Sequence, residues 1–67
     1  MCESKVVLRR DGAEEELMDD VAYMKVSEGG VELVRIDGVR RTLSNVVIDE
    51  IDFINHKVFL RSSSPGD

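Results

Sequence analysis

Between Ser4 and Arg10 apolar and polar positions alternate. Val6 and Leu8 fall on one face, and Lys5, Val7 and Arg9 on the other, which is the period of a half-buried strand. Asp11-Gly12 follows as a hairpin signal, because glycine takes the positive φ of a tight reversal without steric cost. Ala13 to Asp20 is mixed. Its Ala, Glu, Leu and Met content favours helix by propensity, yet it is too short for a self-supporting helix and begins at a hairpin turn. The expectation is a returning strand over Glu14–Met18 with Asp19-Asp20 as a bend. Val21–Val26 forms a third apolar segment, and Glu28-Gly29-Gly30 turns the chain.

Val31–Ile36 is the clearest strand, followed by the turn signal Asp37-Gly38 and a return over Val39–Leu43. Ser44-Asn45 separates this from the β-branched run Val46–Ile54, in which Asp49-Glu50 suggests a bulge. Asn55-His56 makes the last turn. Lys57–Arg61 is the final strand, with Val58 and Leu60 facing inward. Short strands joined by tight turns predict an all-β fold, and a small SH3-like barrel of five to seven short antiparallel strands hides their edges. One domain over 1–61 is expected, and 62–67 reads as a flexible tail because it carries no apolar residue to bury.

Sixty-seven residues allow one small core, and domains of this size often lean on a disulfide, a metal or a second subunit. The single cysteine, Cys2, excludes an internal disulfide. No apolar run is long enough to span a membrane as a helix. Lys5, Arg9 and Arg10 interrupt the run a secretion signal needs, so a cytoplasmic protein is expected. The formal net charge of −5 repels phosphate backbones, whose neutralisation supplies most nucleic-acid affinity. Arg9-Arg10 and Arg40-Arg41 are isolated basic pairs, and Phe53 and Phe59 lie in apolar strand contexts, so nucleic-acid binding is disfavoured.

Candidate chemistry concentrates at Met1-Cys2-Glu3. With Met1 removed, the Cys2 amine and thiolate close a five-membered chelate ring. With Met1 retained, its amine, the Cys2 amide nitrogen and the thiolate form two fused rings. Either set suits a square-planar ion such as Ni(II) or Cu(II), whereas tetrahedral zinc calls for further cysteines and histidines that this chain lacks. One chain fills two or three of four positions, and a two-fold dimer supplies matching donors from a second terminus.

The thiol alone does not make a site, because a free cysteine is ordinarily a small buried hydrophobe. His56 reads as a turn residue, Met18 and Met24 as core fillers. Glu14-Glu15-Glu16 with Asp19-Asp20 reads as a solvated acidic face with weak cation binding at most. Catalysis by Cys2 needs a base and an orienting group. Nothing in the spacing brings the only histidine to it, so a non-enzymatic protein is expected.

The opening Met1-Cys2-Glu3-Ser4-Lys5-Val6, the length and the turn pattern resemble the CooT family of small nickel-binding accessory proteins, associated with maturation of nickel-containing carbon monoxide dehydrogenase. The resemblance covers the chain to Arg61, although its specific motif is short. It implies an SH3-like fold, a homodimer and Cys2 as the nickel-binding residue. Met1 and Glu3 join the candidate site through terminal or backbone atoms by chelate geometry. The resulting expectation is a nickel store or metallochaperone serving a nickel enzyme under maturation. The alternative is a small RNA-binding or protein-interaction module with Arg35, Arg40 and Arg41 as its contact face.

Overall fold

The computed structural model describes residues 3–63. Six strands make up the fold, and no helix occurs among the described residues. They are β1 (Ser4–Arg10), β2 (Ala13–Ser27), β3 (Gly30–Arg35), β4 (Arg40–Ser44), β5 (Val46–Asp52) and β6 (Lys57–Ser62). They form one sheet in the order β4-β3-β2-β1-β6-β5.

Strand β2 organises this sheet. Its first half pairs with β1, from Arg10↔Ala13 to Ser4↔Val21, and its second half pairs with β3, from Val21↔Arg35 to Ser27↔Gly30. Register shifts fall between Val6 and Val7 and between Ser4 and Val6 on β1, and between Val21 and Tyr23 on β2. Extra residues on one strand bend it and increase its twist. Asp20 sits at the bend with φ of 52°, a left-handed conformation that aspartate tolerates better than most residues. The bend folds the β3–β4 wing toward the β1–β6–β5 wing.

The core lies between the wings. Val6, Leu8, Val21, Val31, Leu33, Val46 and Leu60 are buried in one cluster, with Leu17, Met18, Met24, Leu43, Ile48 and Val58 packed against it. Met18 and Met24 therefore fill core space as expected. On the outer face of the larger wing Val7 and Phe59 are neighbours in the β1–β6 ladder and are also buried. Phe59 is covered by the Arg9 guanidinium, whose carbon lies 3.7 Å from its ring centroid. Arg9 is held there by Glu14 at 3.2 Å, Glu50 at 2.8 Å and Asp49 at 3.4 Å. The expected bulge supplies two of these partners: the β5–β6 register shifts between Ile48 and Glu50. Ile48, opposite Leu60, packs against the core while Asp49 and Glu50 bind the arginine.

The all-β fold is as expected, and six strands fall within the expected five to seven. Three details differ. First, β1 and β6 pair in parallel, Lys5↔Lys57 through Arg9↔Arg61. Side-chain alternation is the same for either direction, so it cannot report this. Second, the sheet does not close into a barrel by hydrogen bonding: β4 and β5 are its two edges. Between them lies Asn45 alone, with φ of 61°, and hairpin loops ordinarily need two residues or more. Asn45 instead carries the chain across the core, donating its N–H to the Gly29 carbonyl and accepting from Ser63 N–H. Third, the expected strands over Glu14–Met18 and Val21–Val26 are one continuous 15-residue strand.

Candidate functional site

Met1 and Cys2 lie outside the described residues, while Glu3, half-buried, leads directly into β1. The first residues of β1 are fixed on both sides. Ser4 pairs with Val21 at the bend of β2, and Lys5 donates its N–H to the His56 carbonyl at 2.9 Å. The chain therefore enters the sheet between the bend of β2 and the β5–β6 turn. A shallow cavity of about 190 Å³ adjoins this entry, lined by Ser4, Val6, Val21, Tyr23, Met24 and Val58 among others. A larger hollow of about 290 Å³ lies at the far end of β1, beside the Asp11-Gly12 turn. Its charged residues Arg10, Asp11, Glu14 and Glu15 bring no thiol or imidazole, so it does not coincide with the candidate chemistry.

The β5–β6 turn is tightly built. The Asp52 carboxylate accepts from the Ile54 and Asn55 backbone N–H groups at 3.0 Å each and from the Asn55 side-chain amide at 2.9 Å. These bonds, the Asn55 side chain's foremost, hold the Asp52 carboxyl below its ordinary 3.8. They favour the charged form that accepts them. His56 completes the turn with φ of 56°, and it is exposed. The sequence reading of His56 as a turn residue is correct, but its neighbour was not legible: the turn backbone lies against the start of β1.

Phe53 and Ile54 are the residues that the strand pattern misplaces. The apolar run reads as a strand through Ile54, but β5 stops at Asp52 and both side chains stand in the turn, 80% and 87% exposed. The signal that ends the strand is Asp52 followed by Asn55: an Asp side chain capping the next backbone N–H groups is a turn former. Tyr23 and Ile51, neighbours of this region through the cavity and through Val58, are also exposed. On the far side of the bend, Ile36 donates its N–H to the Asp20 carbonyl and is itself exposed. The entry of β1 is thus bordered by apolar side chains open to solvent.

The arginines of the alternative contact face are engaged within the chain. Arg35 makes two bonds to Asp37, at 3.0 and 2.9 Å, which lower the Asp37 carboxyl below its ordinary value. Arg40 pairs with Glu32 at 3.2 Å, and Arg41 donates to the Leu17 carbonyl at 2.9 Å. The acidic residues of β2 are likewise dispersed, with Glu14 on Arg9 and Glu16 near Lys5 at 3.8 Å. Among the described residues no group of three or more His, Cys, Asp or Glu converges as a metal would require. No helix among them is long and apolar enough to cross a membrane.

Comparison with known proteins places this geometry in context. No curated protein matches the chain. Among solved structures, the chain is similar to the crystal structure of a protein assigned to CooT from Carboxydothermus hydrogenoformans. The TM-score is 0.84 at 22% identity, over 94% of this chain and 100% of that one. At that identity the likeness speaks for the fold. The family model described as CO dehydrogenase accessory protein CooT matches residues 1–61. With that match spanning the whole sheet up to β6, the chain belongs to the CooT family of CO dehydrogenase accessory proteins.

Proposed function

We propose that this accessory protein binds Ni(II) through the Cys2 thiolate and adjacent terminal nitrogen, across a homodimer, and supplies it to carbon monoxide dehydrogenase during maturation. Nickel is cargo here rather than a resident cofactor. The donor set fits: a thiolate next to a terminal amine and a backbone amide of Met1-Cys2-Glu3 gives chelate rings suited to a square-planar ion. A lone thiol is compatible with the reducing cytoplasm, where it stays available as thiolate.

The observation that carries this reading is the anchoring of the chain start. Ser4 and Lys5 are bonded into the sheet on both sides, so the terminal donors two or three residues away are tethered to a rigid frame. Such support restricts the geometries a site can adopt. The exposed Tyr23, Ile51, Phe53 and Ile54 beside it favour an apolar contact with a second copy. A two-fold axis there brings like termini together.

Nickel titration of the native protein and Cys2→Ser is the test. The native protein should develop a thiolate-to-metal absorption band that the variant lacks, with affinity reduced by well over tenfold. Equal affinity and an unchanged band would overturn the reading. Sedimentation with and without nickel then shows whether metal and association are linked.

A further inference from the structure

We propose that the edge of β4 is a docking site for an extended acidic segment of a partner protein, which adds to the sheet as a further strand. β4 ends the sheet order, with β3 on one side and, among the described residues, no strand hydrogen-bonded on the other. Which of its backbone groups face outward follows from the bonds that bracket it. Arg35 donates its N–H to the Val39 carbonyl at 2.8 Å, and Asn45 donates its N–H to the Gly29 carbonyl at 2.6 Å. In an antiparallel ladder the direction alternates from residue to residue, so Val39, Arg41, Leu43 and Asn45 turn toward β3. Arg40, Thr42 and Ser44 therefore present their N–H and carbonyl groups away from the sheet, and all three residues are exposed. Such a row is a template for another strand.

The opposite edge does not offer the same template. β5 shifts register between Ile48 and Glu50, which interrupts its row of outward groups, and its Asp49, Glu50 and Asp52 repel an acidic chain. β4 keeps its register throughout, from Gly30↔Ser44 to Val34↔Arg40. Charge then selects the occupant. β4 carries two arginines and no acid in a chain whose net charge is −5. Arg40 and Arg41 are consecutive, so they point to opposite faces of the sheet. Arg40 lies beside Glu32, and Arg41 reaches the Leu17 carbonyl. The Arg40–Glu32 pair is open to solvent, and such pairs contribute little, so Arg40 can exchange one carboxylate for another. A guanidinium has five N–H donors, and Arg41 spends one of them on Leu17. Two adjacent acidic residues on an incoming strand, one on each face, lie across from the two arginines, where opposite charges stabilise a cross-strand pair. The partner segment is thus an extended stretch of strand-forming residues with neighbouring Asp or Glu at its centre.

The test uses the full-length protein and a terminally blocked peptide of Thr and Val with a central Glu-Glu pair. With the peptide in excess, amide exchange followed by NMR should slow about tenfold or more at Arg40, Thr42 and Ser44. Arg41 and Leu43, already turned toward β3, should change little. The same peptide with Lys-Lys at its centre should bind about tenfold more weakly or worse, since like charges then face each other. Thr42→Pro removes the central outward N–H at an edge position where proline is tolerated, and it should abolish binding. Arg40→Glu should shift preference toward the Lys-Lys peptide, and it decides the matter together with the native titration if Thr42→Pro does not fold. No slowing along β4 at millimolar peptide overturns the proposal, as does native affinity in Thr42→Pro or equal binding of the two peptides. Slowing on β5 in place of β4 assigns the wrong edge and overturns it too. Protection of Arg40, Thr42 and Ser44 that grows with protein concentration in the absence of peptide gives the edge to a second copy and overturns the acidic partner.

Discussion

The Arg9 guanidinium stacks on the Phe59 ring at 3.7 Å while three carboxylates, Glu14, Asp49 and Glu50, surround its nitrogens. In this pair a charged residue closes a second, small apolar cluster that the sheet's outer face would otherwise expose. The arginine's stem and planar head cover area that an ammonium group cannot. The prediction is that Phe59→Ala costs about 3 kcal/mol, as expected for removing a buried aromatic, which is a large part of the stability of so small a domain. Arg9→Lys should lower the melting midpoint by a few degrees (roughly, from domain-size scaling), and this effect should shrink in a Phe59→Leu background. A double-mutant cycle by urea denaturation checks the coupling. Additive effects would mean that Arg9 acts only through its carboxylates.

Gly30 opens β3 opposite Ser44 of β4, and a Cβ added there would overlap the Leu43 carbonyl oxygen. The obstacle is backbone, not a side chain that can swing away. Gly30→Ala should therefore destabilise the protein by about 1–3 kcal/mol, the cost of forcing extra volume into a packed position. Gly12→Ala tests a different cause, because open space surrounds Gly12 and the strain comes from its φ of 80°. Comparison of the two urea midpoints checks the pair, and Gly30→Ala should be the more damaging. Native stability in Gly30→Ala would contradict the close approach of β3 and β4.

These two sites also show what could be read from the chain. β1 coincides with its alternation, Ser4–Arg10, since a strand half-buried on a core writes period two into its residues. The Asp49-Glu50 bulge was legible because two adjacent acids break that period. The parallel β1–β6 pairing was not, and nor was the burial of Phe59 by Arg9: both depend on partners about fifty residues apart, which local pattern does not encode. Phe53 and Ile54 were misread for a related reason. Apolar neighbours, one of them β-branched, extend a strand pattern, but the Asp52 carboxylate captures the following N–H groups for a turn. As for the candidate site, Cys2 stood out in the sequence as a lone thiol beside the terminus, whereas the closeness of the His56 turn to β1 required the topology.

Asp37 and Asp52 give the fold an acid limit. Both carboxyls lie below their ordinary 3.8 in the folded chain, Asp37 chiefly through Arg35 and Asp52 chiefly through Asn55. A carboxyl depressed on folding contributes stability that is complete above its unfolded value and is lost as pH falls through the folded one. The prediction is a urea midpoint nearly level with respect to these groups above about pH 5 and falling below about pH 4. Asp52→Ala should lower the midpoint at neutral pH and make the acid decline shallower. It should also speed amide exchange at Ile54 and Asn55, whose N–H groups lose their acceptor. An acid limb identical to that of the native protein would show that other carboxylates set it.

The proposed association of two copies through the entry of β1 can be separated from the fold itself. Phe53 and Ile54 are 80% and 87% exposed, so replacing both with serine removes little internal packing. The chain's own stability should change by no more than about 0.5 kcal/mol, as for surface positions generally. If this apolar end is the dimer contact, the double variant should sediment as a monomer at concentrations where the native protein is dimeric. Val26 provides the control: it is equally apolar and 58% exposed, but it pairs with Val31 near the opposite end of β3. Val26→Ser should leave association intact. A Phe53→Ser/Ile54→Ser protein that remains dimeric would move the interface away from the chain start. The terminal donors of two copies would then no longer be placed together, and the remaining nickel ligands would have to come from within one chain.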